Sequence, residues 1–517
     1  MNNRIFFLVV FVWSTLSLLG QSLKPCGTPA YKAPWLKAYQ QRPPTAQVRG
    51  NQDSILYLPM TVHSVGEDDG DGHFGTLNIL DAFCTLNEDF KASNIQFYLA
   101  ADIQLINNTA IYEHDSVYVA GLFMLENDVP NTLNTYLLKD PAGNCGYNLP
   151  WASMTVAKMC AGKQNHTWAH EVGHHFTIQH PFLGWEGGIS YDGSIEPDYN
   201  QPAPEFVVYN YTIFKEQPYI DTLIIDTALV EKMDGSNCHI AADGFCDTAP
   251  DYLTGRWECR GNENESRTVQ TDPNGVQFRS DASLIMGNSQ DECKTRFTPQ
   301  QIAAMRAYVL EERQDLFVNP LPLESPIVES PNLLYPIGEE AVPVDAVELT
   351  WEAVPNATRY IVQISRLRSF PEGLTDTYET EDLTLLVDDL VTERDYFWRV
   401  RPYNFYHTCT NFSEEAAFEV VESVTSISKI IGLENIQVQP TIQQIPAPIQ
   451  VMLQTSLPLT GTLELVNVAG AILYSKPMTI EIGETHIHLP TNRLVDGLYF
   501  VGIRTEEGRI FRKVILR

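Results

Sequence analysis

The sequence predicts a multidomain protein: an α/β domain followed by two all-β sandwich domains. Three observations predict it. The chain has 517 residues, more than one hydrophobic core usually holds. Strand-like and helix-like stretches mix from residue 55 to about 317. After the segment VNPLPLESPIVESP (318–331), only short alternating strands remain.

The elements follow in order. Arg4 precedes an apolar run over residues 5–19, too short to span a bilayer and placed where a signal peptide belongs. We expect residues 1–20 to be that peptide, cut near Gly20 or Gln21. No cysteine stands at the cut, which argues against a lipid anchor there. Residues 21–50 are basic and proline-bearing, and read as a leader. The run ILYLPMTVHSV (55–65) is rich in β-formers and opens a domain over 51–317. Pro320, Pro322, Pro326 and Pro331 make 318–331 an extended linker. Residues 332–422 carry VELTW, YIVQIS and YFWRVRPYN, with aromatics spaced as in a β-sandwich. Residues 423–517 are again strands and turns.

The composition narrows the function. A formal net charge of -31 argues against nucleic acid or an anionic membrane as partner. Surplus carboxylates offer oxygen ligands for Ca2+. Nine cysteines in an exported chain should mostly pair, and an odd count leaves at least one with another task. We expect a monomer.

The chemistry lies in NHTWAHEVGHHFTIQHPF (165–182). The stretch 167–178 lacks proline and predicts a helix. His170 and His174, four apart, then project from one face. Neutral imidazole nitrogens about 2.0–2.1 Å from an ion suit zinc. Glu171 adjoins the first ligand and can take a proton from water without occupying the metal. Catalytic zinc keeps three protein ligands and one open position. His180 is the candidate third ligand, provided the chain turns sharply after the helix. A downstream acid such as Glu186 is the alternative. His175 faces elsewhere. These parts suit hydrolysis of peptide bonds in protein or peptide substrates, with Glu171 as general base.

HEVGHHFTIQH resembles the long zinc motif of the metzincins, HExxHxxGxxH. DASLIMGNSQDECKTRFTPQQIAAM (281–305) is similar to the methionine turn and following helix of the pappalysin, or cytophagalysin-like, branch. NCHIAADGFCDTAPDY (237–252) resembles that branch's GDxVxDTP stretch. The resemblance spans roughly residues 55–317 and implies a metzincin-like catalytic domain, with Met286 beneath the zinc. Thr298, Pro299 and Gln301 suit a capped helix start. Two positions depart from the pattern. Thr177 stands where the family has glycine; if the turn needs a left-handed backbone, threonine costs about 1–2 kcal/mol. Asn288 stands where the family often has a tyrosine thought to help the transition state.

The resemblance implies more. Cys26-Gly27-Thr28 is similar to a pro-segment motif whose thiolate fills the open zinc position and keeps the enzyme latent until the leader is cut, here expected near Arg49. The family pattern suggests disulfides Cys238–Cys259 and Cys246–Cys293, and aligns Asp243 and Thr248 with calcium positions. Cys145 and Cys160 can close the loop before the zinc helix, while Cys84 and Cys409 stay unassigned. Residues 332–422 resemble a fibronectin type III domain, with Trp351 and Tyr360 in its core. The C-terminal stretch resembles the type IX secretion sorting domain, which implies passage through that machinery to the medium or the bacterial cell surface. The usual Asn-Pro near its start is replaced by VQPTIQ (438–443). The competing reading is an inactive zinc-binding adhesin that works through its β modules.

Overall fold

A computed structural model describes residues 23–42, 54–150, 152–186, 197–215, 220–422, 430, 432–439, 442–443, 445–468, 471–492, 494–505 and 508–517. The expected signal peptide, its cleavage point and the cut near Arg49 lie outside the described residues. The chain is multidomain and rich in β-sheet. Contacts divide it into two compact units: residues 1–330 with 354–361 and 401–411, and the remainder.

The first unit carries one mixed sheet. Its central strand, β1 (Leu56–Gly66), is buried without interruption from Leu58 onward. Unbroken burial of this kind, its polar Thr61, His63 and Ser64 included, marks a parallel strand covered on both faces. β1 pairs in parallel with β2 (Ile95–Leu99), β3 (Gln104–Asn107) and β4 (Leu133–Leu138). Pairing to β4 begins only at Met60, so Pro59, which lacks an N–H, meets a neighbour on one side alone. Beyond β4 the order continues to β6 (Met154–Ala157), parallel, and to the edge strand β5 (Gly146–Asn148), antiparallel.

Helices pack on this sheet. In α2 (Thr76–Phe90), Ile79, Phe83, Leu86 and Phe90 recur at helical spacing and are buried. Its Asn87 side chain accepts from Phe97 N (2.7 Å) and donates to Phe97 O (3.1 Å), fixing α2 to β2. In α4 (Thr167–His175; α3 is Val117–Asn127) every residue but His175 is buried. The Trp168 indole of α4 donates to Thr135 Oγ1 of β4 (3.1 Å). α5 (Pro299–Glu312) begins with the expected capping box between Thr298 and Gln301. A short leader helix, Pro34–Gln40, is α1, and Arg42 just beyond it pairs with Glu311 of α5 (2.8 Å).

The disulfides correct one expectation. Cys238 pairs with Cys246 and Cys259 with Cys293, not Cys238 with Cys259 and Cys246 with Cys293. Cα separations of 5.0 and 6.4 Å put both observed pairs within bonding reach. Cys145–Cys160 forms as expected, and Cys84 joins Cys409. Cys26 alone stays free.

Residues 318–332 carry no helix or strand. Strands between 333 and 421 form a three-stranded and a five-stranded sheet, with Trp351, Tyr360 and Trp398 buried. Strands between 433 and 516 form a second such pair over a core that includes Val451, Leu463, Val501 and Val514.

Candidate metal centre

The helix period brings His170 and His174 to one face of α4, and the turn after it delivers His180. The three Nε2 atoms lie 3.0–3.1 Å from one another. Each Nδ1 faces an acceptor: Ile285 O for His170 (2.8 Å), Ile178 O for His174 (2.8 Å) and Glu186 Oε1 for His180 (3.4 Å). Those acceptors hold the proton on Nδ1, so three Nε2 lone pairs converge on one point. Such convergence is repulsive unless a cation sits there. An ion about 2.0–2.1 Å from each nitrogen fits this triangle, and all-imidazole coordination suits zinc. Burial lowers the pKa of all three rings, His180 to about 3, which favours the neutral ligand form. Glu186 thus faces the Nδ1 side of His180, not the side where the three Nε2 atoms converge.

The turn is left-handed at Thr177, with φ +72°. Ile178 N–H returns to Gly173 O (3.0 Å) and Thr177 N–H to His174 O (2.9 Å), the pattern that closes a helix through a left-handed residue. Threonine bears strain there, and its buried Oγ1 has no hydrogen-bond partner. Thr177→Gly should stabilise the chain by about 1 kcal/mol, because relief of about 1–2 kcal/mol exceeds glycine's entropic cost of roughly 0.5–1. Urea unfolding checks this; an unchanged or lower midpoint counts against the strain.

Glu171 points from the same helix toward the edge strand. Gly146 on β5 leaves it room: a Cβ there would approach Glu171 Cγ to 2.9 Å. Burial raises the Glu171 pKa to about 8, against opposing hydrogen bonds from Thr28 and Cys26. Met286 is buried beneath α4, where a Cβ on Gly173 would meet its sulfur at 2.5 Å. Asn288 Nδ2 donates one of its two hydrogens to Thr254 O (2.6 Å), and its buried Oδ1 has no hydrogen-bond partner. His175 turns away, between Asn148 Oδ1 (2.9 Å) and Arg313 (2.6 Å).

The leader crosses this centre. Lys24 and Gly27 exchange backbone hydrogen bonds with Gly143, Cys145 and Gly146, running parallel to the β5 edge. Gly27 is tight, since a Cβ would strike the Asn144 side chain at 2.7 Å. Cys26 Sγ lies 3.6 Å from His174 Nε2 and completes a cluster with the three imidazoles. Thr28 Oγ1 donates to Glu171 Oε2 (2.8 Å) and accepts from Asn148 N (2.8 Å). Burial and the Glu171 carboxylate push the Cys26 thiol well above its usual range. A divalent ion among the imidazoles reverses that balance toward thiolate. Nothing in the sequence marked Thr28 as the partner of Glu171; its place in Cys26-Gly27-Thr28 was the only signal.

Asp243 and Thr248 also come together: Thr248 Oγ1 donates to Asp243 Oδ1 (3.0 Å). Asp243 Oδ2 and Glu231 Oε2 are buried without hydrogen-bond partners. Burial raises their pKa values to about 7 and about 9. Lys32 of the leader donates to Ala242 O (3.1 Å), and Gln40 to Asp243 O (2.8 Å).

Comparison with known proteins adds the following. Residues 445–517 match the family described as the secretion system C-terminal sorting domain. The protein is therefore secreted or displayed at the cell surface, and a domain of this kind implies interaction with the type IX secretion machinery. No curated protein sequence matches the chain. Among solved structures, a Tannerella forsythia promirolysin mutant is similar at 15% identity and a TM-score of 0.36, covering 57% of this chain and 97% of that one. The FN1–FN3 domains of chicken CNTN1 align at 11% identity and a TM-score of 0.18, covering 38% of this chain and 69% of that chain. The fn3 domain of human collagen alpha-1(XX) aligns at 21% identity and a TM-score of 0.14, covering 20% of this chain and 94% of that one.

Proposed function

We propose that the chain is a secreted zinc-dependent endopeptidase of the metzincin type, close to the pappalysin branch and made in a latent form. One observation carries the reading: three imidazole Nε2 atoms converge at 3.0–3.1 Å beside a buried carboxylate, Glu171. An inert zinc-binding module has no use for that carboxylate.

His170, His174 and His180 would hold zinc, which supplies a Lewis acid and a water of lowered pKa. The substrate backbone extends the sheet at β5, the edge the leader now occupies. Glu171 takes the proton from the attacking water and returns it to the leaving amine. In the latent form Cys26 would be the fourth residue to hold the ion, as a thiolate, and Thr28 occupies Glu171. Leader-free protein incubated with casein, beside a Glu171→Ala control, tests the reading. Equal and negligible cleavage by both, at about one zinc per chain, would return the chain to the adhesin reading.

Asp243 and Thr248, with Glu231, are proposed to take Ca2+. Two buried, unpartnered carboxylate oxygens support this. Saturating calcium should raise the unfolding temperature by a few degrees, the equivalent of about 1–3 kcal/mol. The rise should grow with pH, because calcium must displace protons held up to about 7 and about 9. Calorimetry of the wild type and Asp243→Asn measures it; an equal rise in both removes Asp243 from the site. Residues 332–422 are proposed to be a fibronectin type III-like spacer.

A further inference from the structure

Four residues beyond Cys26 the leader enters an apolar enclosure that zinc chemistry does not require. Ala30 is buried with Leu183 and Tyr209, and Tyr211 and Ala228 pack at the edge. The Tyr31 ring meets that of Tyr211 at a centroid separation of 6.2 Å. Leu183 is joined to the metal centre by its own backbone, donating to His180 O (3.1 Å). The two tyrosines come from β7 (Phe206–Lys215), which pairs with β8 (Ile220–Leu229) as an antiparallel ribbon. Strand alternation turns Val207, Tyr209 and Tyr211 toward the body, while Phe206 and Val208 face outward and are exposed. A cavity of about 680 Å3, bounded by Cys26, Ala30, His180, Phe182, Tyr211 and Asn288, lies between the leader and the ribbon.

We propose that Leu183, Tyr209 and Tyr211 form a specificity-determining subsite for a hydrophobic residue of whatever chain lies in the cleft. In the latent form that residue is Ala30 or Tyr31; in the processed form it belongs to a protein substrate. The proposal rests on the peptidase reading above. Backbone pairing to β5 reads no side chains, so selectivity must come from walls such as this one. Four residues span at most about 13 Å, and the leader turns at Ala30, Tyr31 N–H donating to Pro29 O (2.7 Å), which places the subsite away from the reacting carbonyl on the same chain. Binding energy gained there is available for positioning at the reacting centre.

Two measurements test it. In the zinc-loaded full chain carrying Glu171→Ala, which prevents self-cleavage, alkylation of Cys26 by iodoacetamide reports lifting of the leader. Tyr31→Ala and Tyr211→Ala should each speed alkylation about five- to tenfold, and the double variant no more than the faster single one. Rates that multiply in the double variant would mean the two rings act separately, and would overturn the grip of the subsite on the leader. In the processed protein, peptides with phenylalanine at the remote position should exceed their serine counterparts about tenfold in kcat/KM. Tyr211→Ala should bring that ratio near one; an unchanged ratio overturns the subsite. Cleavage of no peptide at all removes the peptidase reading and the substrate half with it, while the alkylation cycle still decides whether the enclosure grips the leader.

Discussion

Glu171→Ala should lower casein cleavage by the processed protein about 10³-fold or more, while zinc stays at about one per chain. The expectation follows from separated roles. The three imidazoles hold the ion through Nε2 and are fixed through Nδ1, and none of those contacts involves Glu171. Its carboxylate is buried, and the side chains that hydrogen-bond it, Thr28 and Cys26, both belong to the leader. Removing it deletes the proton acceptor and leaves the ligands in place. Glu171→Gln, similar in size but unable to accept the proton, should fall as far as the alanine variant. Activity within tenfold of wild type in both would mean that another group moves the proton. Loss of zinc alongside activity would mean the carboxylate is structural.

Cys26→Ala in the full chain should release cleavage that the wild-type full chain lacks, raising the initial rate on the order of 10²-fold. A tethered ligand acts at roughly millimolar effective concentration, so losing it opens the fourth position most of the time. Release should still be partial. Thr28 continues to hold Glu171, and the Lys32, Gln40 and Arg42 contacts remain. The variant should therefore run slower than processed protein until the leader is cut. Initial rates on a quenched peptide, read within the first minutes, measure this. A full-length variant as inactive as wild type would show that the leader blocks by bulk alone and that Cys26 is incidental.

The sequence by itself determined the chemistry that depends on short spacing. His170, Glu171 and His174 follow from helix geometry within one turn, and α4 presents them as that geometry requires. The capped start of α5, the burial of Trp351 and Tyr360, and the lack of helix or strand between 318 and 332 were legible for the same local reason. Tertiary structure decided what depends on residues far apart. His180 reaches the other two imidazoles only because Thr177 accepts a left-handed backbone, and a single sequence does not say whether surrounding packing will hold that strain. The cysteine pairs around the 246 loop were misread because pairing depends on Cα distances between loops, not on motif order. The hydrogen bond from Asn288 Nδ2 to Thr254 O, 34 residues away, likewise depends on the tertiary fold. Thr28 on Glu171 and the tyrosine enclosure around Ala30 required the leader to be threaded through the cleft. Local periodicity carries no information about such a path.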